Sequence, residues 1–160
     1  MALPQARSDI LSARIAGLSF DAGGWLGRAR SEALARLSAM GAPVRRDEYW
    51  RYTDPSSLTA PEAPAAAVFE IQRLANLGAT DLHWARELYG VLEARGQEPV
   101  ARPMAALNTA FATDGIMIRA TGKAKRPVSL IYQHNSTTSD AILHHCIKIE
   151  SGAELTVLEN

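Results

Sequence analysis

Hydrophobic positions follow a helical period through the first two thirds of the chain and a two-residue period after that. Leu11, Ile15 and Leu18 recur at steps of four and three, which predicts a short amphipathic helix from about Arg7 to Ala16, weakened at Gly17. A clearer stripe runs through Leu26, Ala29, Ala33, Leu37 and Met40, while Arg28, Arg36 and Ser38 fall largely elsewhere. This predicts a helix over Trp25 to Met40. Gly41 and then Pro43 supply its stop, since glycine tolerates the left-handed cap and proline cannot continue a helix. Ala85, Leu88 and Leu92 share a face between Asp81, a candidate N-cap, and Gly96. Pro103 opens a further stripe through Met104, Leu107 and Phe111, ended by Asp114-Gly115.

From Ile116 onward the period changes. Residues 116–120, 128–134, 141–150 and 155–159 are short runs rich in β-branched side chains, separated by turn-forming segments. In the third run Leu143, His145, Ile147 and Ile149 alternate with His144, Cys146, Lys148 and Glu150, which predicts a half-buried strand whose apolar face carries the isoleucines. The expected class is α+β: a mainly helical domain over 1–115, interrupted by an Ala- and Pro-rich linker at about 58–67, and a strand region over 116–160. The last run, Leu155 to Asn160, is an apolar strand with nothing after it to cover its edge. That predicts either a fragment of a longer protein, the favoured reading, or self-association through the last strand.

Composition narrows the class. At 160 residues, 47% hydrophobic and 21% charged, the chain has the make-up of a globular protein. Seventeen basic residues balance seventeen acidic ones, so no net field draws it to nucleic acid or to an anionic membrane. No apolar run approaches the ~20 residues of a transmembrane helix, and Met1 to Ile10 lack a signal-peptide core, so the expected location is the cytoplasm. One cysteine, Cys146, excludes an internal disulfide framework.

Candidate chemistry is sparse. The segment Arg45-Arg46-Asp47-Glu48-Tyr49-Trp50-Arg51-Tyr52-Thr53-Asp54-Pro55 mixes aromatic and basic residues as a single-strand binder does, but Asp47, Glu48 and Asp54 offset its three arginines. It reads instead as a folded knot, with rings anchored on the helical domain and arginines paired to carboxylates. Lys123, Lys125 and Arg126 read as a solvated basic turn. His144-His145-Cys146 suggests a metal site, yet only His144 and Cys146 share a strand face, and a third ligand would have to come from His134 or Glu150. A small metal-binding protein using His144 and Cys146 with His134 is therefore the alternative reading. No Ser or Cys has a base and orienting group at a recognisable spacing, and no phosphate-cradling loop is present. A carbohydrate-cleaving enzyme would need a carboxylate pair that Glu150, Glu154 and Glu159 do not offer. No catalytic, cofactor-binding or metal residue is assigned, and the expectation is a protein that is not an enzyme.

Several of these segments, in order, resemble the SufD branch of the SufB/SufD family of iron–sulfur cluster assembly scaffolds. Arg45 to Thr53 resembles the motif that follows that family's first helices. Ala106 to Gly115 resembles the segment leading into its first strand, and Arg126 to Tyr132 its first coil. His144 to Ile149 with Gly152 to Glu159 resembles the entry to its parallel β-helix. The resemblance implies a right-handed parallel β-helix after the helical domain, here only its first strands. It also implies a non-catalytic role beside SufB and SufC, with the cluster assembled by the full complex and no cofactor held in this chain. The family's partner-binding and cluster residues lie beyond these motifs, so none is carried over. The chain is also short between Phe69 and Glu70, where members carry further strand-forming sequence.

Overall fold

In the computed structural model, which describes residues 5–61, 83–132 and 142–159, the predicted stripe from Leu26 to Met40 becomes the longest helix, α2 (Gly27–Met40). Leu26, Ala33 and Leu37 are buried in the core, with Ala29 and Met40 packed at its margin. Full burial of a leucine such as Leu37 contributes about 1.5–3 kcal/mol. Gly41 ends the helix at φ 70°, a positive angle that suits glycine, and its N–H donates back to the Leu37 carbonyl. Before it lies α1 (Gln5–Ala16), and after it a 3₁₀ turn (Glu48–Trp50) and the one-turn α3 (Ser56–Thr59). Buried Arg14 of α1 donates from Nε to the Leu58 carbonyl at 3.0 Å, joining α1 to α3. The short α3 occupies the start of the predicted linker. The linker beyond Pro61, together with Asp81 and the Phe69–Glu70 junction, lies outside the described residues.

The stretch read as one helix up to Gly96 forms two, α4 (His83–Leu88) and α5 (Val91–Arg95). Gly90 separates them at φ 76°, where a Cβ would approach the Thr109 methyl to 3.1 Å. The break rotates Leu92 off the predicted buried face and into solvent. Next, α6 (Pro103–Phe111) begins on its proline and buries Ala106, Leu107, Thr109, Ala110 and Phe111, packing along α2. One buried side chain fastens this pair. Arg30 of α2 donates to the Ala112 carbonyl at 2.9 Å, just past the end of α6, and to the Asp21 carbonyl at 3.2 Å.

Among the described residues four strands follow: β1 (Met117–Ala120), β2 (Val128–Leu130), β3 (Cys146–Ile149) and β4 (Val157–Glu159). They form two small parallel sheets, β1 with β3 and β2 with β4. Met117 lies beside Cys146, and Val128 lies beside Val157. Both pairs are 29 residues apart (146 − 117 and 157 − 128), as are the bridged residues Asp114 and Leu143. Pairing begins before β1, since Thr113 N–H reaches the Ile142 carbonyl at 3.1 Å and His144 N–H reaches the Asp114 carbonyl at 3.0 Å. Between the sheets the separation grows to 31 residues at Lys123 and Glu154, then returns to 29. The chain is therefore a mixed α+β structure with two strand pairs in a common register.

The predicted faces of β3 are reversed. Cys146 is the buried residue, at 5% exposure, and joins Ile142 in the helical core, while Ile147 and Ile149 are 41% and 47% exposed. The alternation is present as read. Its buried side is set by where the helices lie, which a strand's own pattern does not contain. Ile147 instead sits beside Ile118, and Ile149 beside Ala120, as an apolar ladder on the other face. Arg119 and Lys148 are paired on the Cys146 face, where both reach Glu150, at 2.8 and 3.2 Å. Those two bonds, Arg119's first, hold the Glu150 carboxyl below its usual range.

Candidate functional site at His144, His145 and Cys146

The residues singled out for chemistry stand where the second strand layer meets the helices. The 29-residue register decides their neighbours. It lays His144 over Gly115 so closely that a Cβ on Gly115 would fall 2.0 Å from the His144 carbonyl oxygen. It also places His145 over Ile116, whose N–H donates to His145 Nδ1 at 3.0 Å.

His144 turns towards the helices. Its ring lies against Tyr89, with centroids 4.1 Å apart, and its Nδ1 is 3.3 Å from Asn108 Oδ1. Tyr89 in turn donates its hydroxyl to the Thr109 carbonyl at 2.7 Å. Burial, reinforced by nearby His145 and Arg30 and opposed by Glu93, pushes the His144 imidazole down to about 4. Cys146 points the same way, and burial pushes its thiol up to about 11. Both groups are thus neutral at pH 7. A thiol held this far from its thiolate is a poor nucleophile.

His145 turns the other way and links the two sheets. With Nδ1 accepting from Ile116, the ring carries its proton on Nε2, which lies 3.1 Å from the Tyr132 hydroxyl. Tyr132, just beyond β2, donates to Glu159 of β4 at 2.6 Å. Burial and then this bond to Glu159 push the Tyr132 hydroxyl up to about 12, while burial lowers His145 against the pull of Glu159 and Asp114. The result is a directional chain: backbone amide, imidazole, phenol, carboxylate. It ties β2 and β4 to the start of β3. It was not legible in sequence, since the partners come from positions 116, 132, 145 and 159 and only the register unites them.

Among the described residues no group of three His, Cys, Asp or Glu side chains could hold a metal ion. His144 and Cys146 do share a side, as their spacing predicts, but His134 lies outside the described residues. The carboxylates considered for hydrolysis have separate partners: Glu150 binds Arg119, Glu154 binds Lys123 at 2.6 Å, and Glu159 binds Tyr132. A cavity of about 220 Å³ opens beside the junction between α5 and β3, lined by Leu88, Leu92, Glu93, His144, Cys146 and Ile147. Its one carboxylate, Glu93, is taken by a two-point bond from Arg36 (2.5 and 3.2 Å) and by the Gln97 amide at 2.6 Å. The arrangement can dock two layers together.

The low value of His144 makes stability depend on pH. The unfolded chain takes up the proton near 6.5, whereas the folded one resists it until about 4. The contribution is therefore complete above pH 6.5 and is lost as pH falls from there towards 4, amounting to at most about 3 kcal/mol. Urea midpoints at pH 7.5 and 4.5 should differ markedly more in the wild type than in His144→Gln. Equal differences would remove His144 as the cause.

Among the described residues no helix is long and apolar enough to cross a membrane. Compared with protein-family models, with curated proteins and with solved structures, the chain finds no match in any of the three.

Proposed function

We propose that this chain acts as a non-catalytic scaffold protein of the SufB/SufD kind, serving iron–sulfur cluster assembly beside SufB and SufC. The observation that carries the reading is the common 29-residue register of the two parallel sheets behind a helical domain. A chain that returns to the same place, in the same direction, after a fixed number of residues is winding. The first layers of a right-handed parallel β-helix would have this register, and such a solenoid presents a long, stiff side on which partners assemble. The ordered motifs at 45–53, 106–115, 126–132 and 144–159 agree with it. So does a junction whose histidines and carboxylates hold strand layers together. Clusters are then the cargo of the assembled complex and are not held by this chain alone.

The test is capture of the native protein from its own cells with an antibody, followed by identification of what accompanies it. SufB and SufC should come down together with it in stoichiometric amounts. Capture of the protein with neither, from cells in which both are expressed and assembled, would sink the proposal.

A further inference from the structure

The segment from Arg45 to Asp54 departs most from the knot that its sequence predicts. Its rings are not anchored: Tyr49 is 56% exposed and Tyr52 89%, with Trp50 alone half-buried. Nor do its arginines close ion pairs with its own carboxylates, although Arg45 lies near enough to Asp54 to favour its charged form. Asp47 binds Arg7 of α1 and accepts from the Val44 N–H at 3.0 Å, while Asp54 accepts from the Ser56 N–H at 3.0 Å.

The backbone explains which residues face outward. Trp50 N–H donates to the Asp47 carbonyl at 2.9 Å and Thr53 N–H to the Trp50 carbonyl at 3.2 Å, two successive turns of 3₁₀ type. At three residues per turn, side chains three apart eclipse one another. Tyr49 and Tyr52 therefore share an exposed edge with Trp50 on the inner side, and exposed Arg46 precedes the turns, ahead of the extended Asp47. Arg102, at the start of α6, joins from 53 residues further along the chain. It donates to the Tyr49 hydroxyl at 2.7 Å, with its guanidinium carbon 4.9 Å from the ring centre. Gln97 grips the Arg102 backbone at both N–H (2.6 Å) and carbonyl (3.2 Å), so this arginine is held in place. Arg51 lies 5.6 Å from the centre of the Tyr52 ring.

We propose that this strip is a docking platform for an acidic segment of a partner protein. Exposed tyrosines and arginines set together on a braced backbone are what protein interfaces use as anchors, because they offer large area at small entropic cost. The charge selects the partner. Asp47 is spent on Arg7, which leaves Arg45, Arg46, Arg51 and Arg102 exposed against Glu48 and Asp54, a local surplus of two positive charges on a protein whose net charge is zero. Planar guanidinium groups are matched by carboxylates, two bonds at a time, and the tyrosine rings by apolar side chains between those carboxylates. A surplus of two is too little for the counterion release that drives binding to a nucleic-acid backbone. The proposal stands apart from the scaffold reading, since it rests on no strand residue.

The experiment is a titration of the isotopically labelled full chain with a short peptide of alternating Glu and Leu, read by amide chemical shifts. A Lys–Leu peptide and a single-stranded DNA oligonucleotide serve as comparators. Shifts should be confined to residues 45–54 and the neighbourhood of Arg102. The apparent affinity should fall at least about fivefold in Arg46→Glu/Arg51→Glu and in Tyr49→Ala/Tyr52→Ala, with circular dichroism unchanged because these side chains are exposed. The proposal is overturned if millimolar acidic peptide leaves the strip unshifted, if the double variants bind it as well as wild type does, or if DNA binds more tightly.

Discussion

Replacing Gly115 by alanine is expected to destabilise the protein by about 4 kcal/mol or more, beyond the usual range for a single substitution. The added Cβ would lie 2.0 Å from the His144 carbonyl oxygen and 2.8 Å from its carbonyl carbon. These are backbone atoms of the stacked strand, so no rotamer change can relieve the overlap. The strand cannot retreat either. His144 N–H bonds the Asp114 carbonyl and Cys146 N–H bonds the Ile116 carbonyl, at 3.0 and 2.9 Å, on either side of the contact. A retreat would break both, withdraw Cys146 from the core and release the Ile116–His145 bond. Urea unfolding followed by circular dichroism measures the loss. Gly122→Ala is the control, because a Cβ there meets nothing within 4 Å. A cost below about 1 kcal/mol at Gly115 would show that the layers are not stacked as described.

The second large effect lies between α2 and α5. The Glu93 carboxylate is only 5% exposed and depends on the Arg36 guanidinium for its charge balance. Arg36→Met keeps most of the side-chain volume and removes the partner, leaving a buried charge with one amide donor, Gln97. Breaking a buried pair in this way costs about 3–5 kcal/mol. The double variant Arg36→Met/Glu93→Met should recover most of that loss, because a buried ion pair is often no more stabilising than well-packed apolar groups of similar volume. A thermodynamic cycle over the four proteins separates the pair from its surroundings. If Arg36→Met alone proves nearly neutral, the carboxylate is reached by water and the bridge belongs to the surface.

What the sequence discloses here is what depends on near neighbours. The stripes of α2 and α6, the stop at Gly41 and the proline start of α6 are set within a few residues, and all appear as read. A strand forms within each of the four predicted segments, but each is shorter than its periodicity suggests. Gly90 is the local exception: within Tyr89-Gly90-Val91-Leu92 the apolar spacing looks continuous, while a positive φ divides the helix. The remaining differences have a common origin in distance along the chain. The alternation in β3 is visible, but the burial of Cys146 in place of Ile147 follows from helices more than thirty residues earlier. Tyr132 and Glu159 are 27 residues apart and Arg36 and Glu93 57 apart, so each gains its role from a partner that only the fold delivers. Asp47 illustrates the same point, since three arginines lie within four positions of it and it binds Arg7.

The shared separation of 29 residues also bears on how such a chain can change its length over evolutionary time. Residues added between Leu130 and Ile142 can be spun out without moving any paired strand relative to its partner. Residues added between Ile149 and Val157 would displace β4 against β2 while β3 stayed in step with β1, and a single extra residue would turn every side chain of β4 to the opposite face. Insertions and deletions should therefore accumulate in the first interval. In the second they should appear only with a matching change between Ala120 and Val128, the compensation already visible where the separation widens to 31 at Lys123 and Glu154 and closes again.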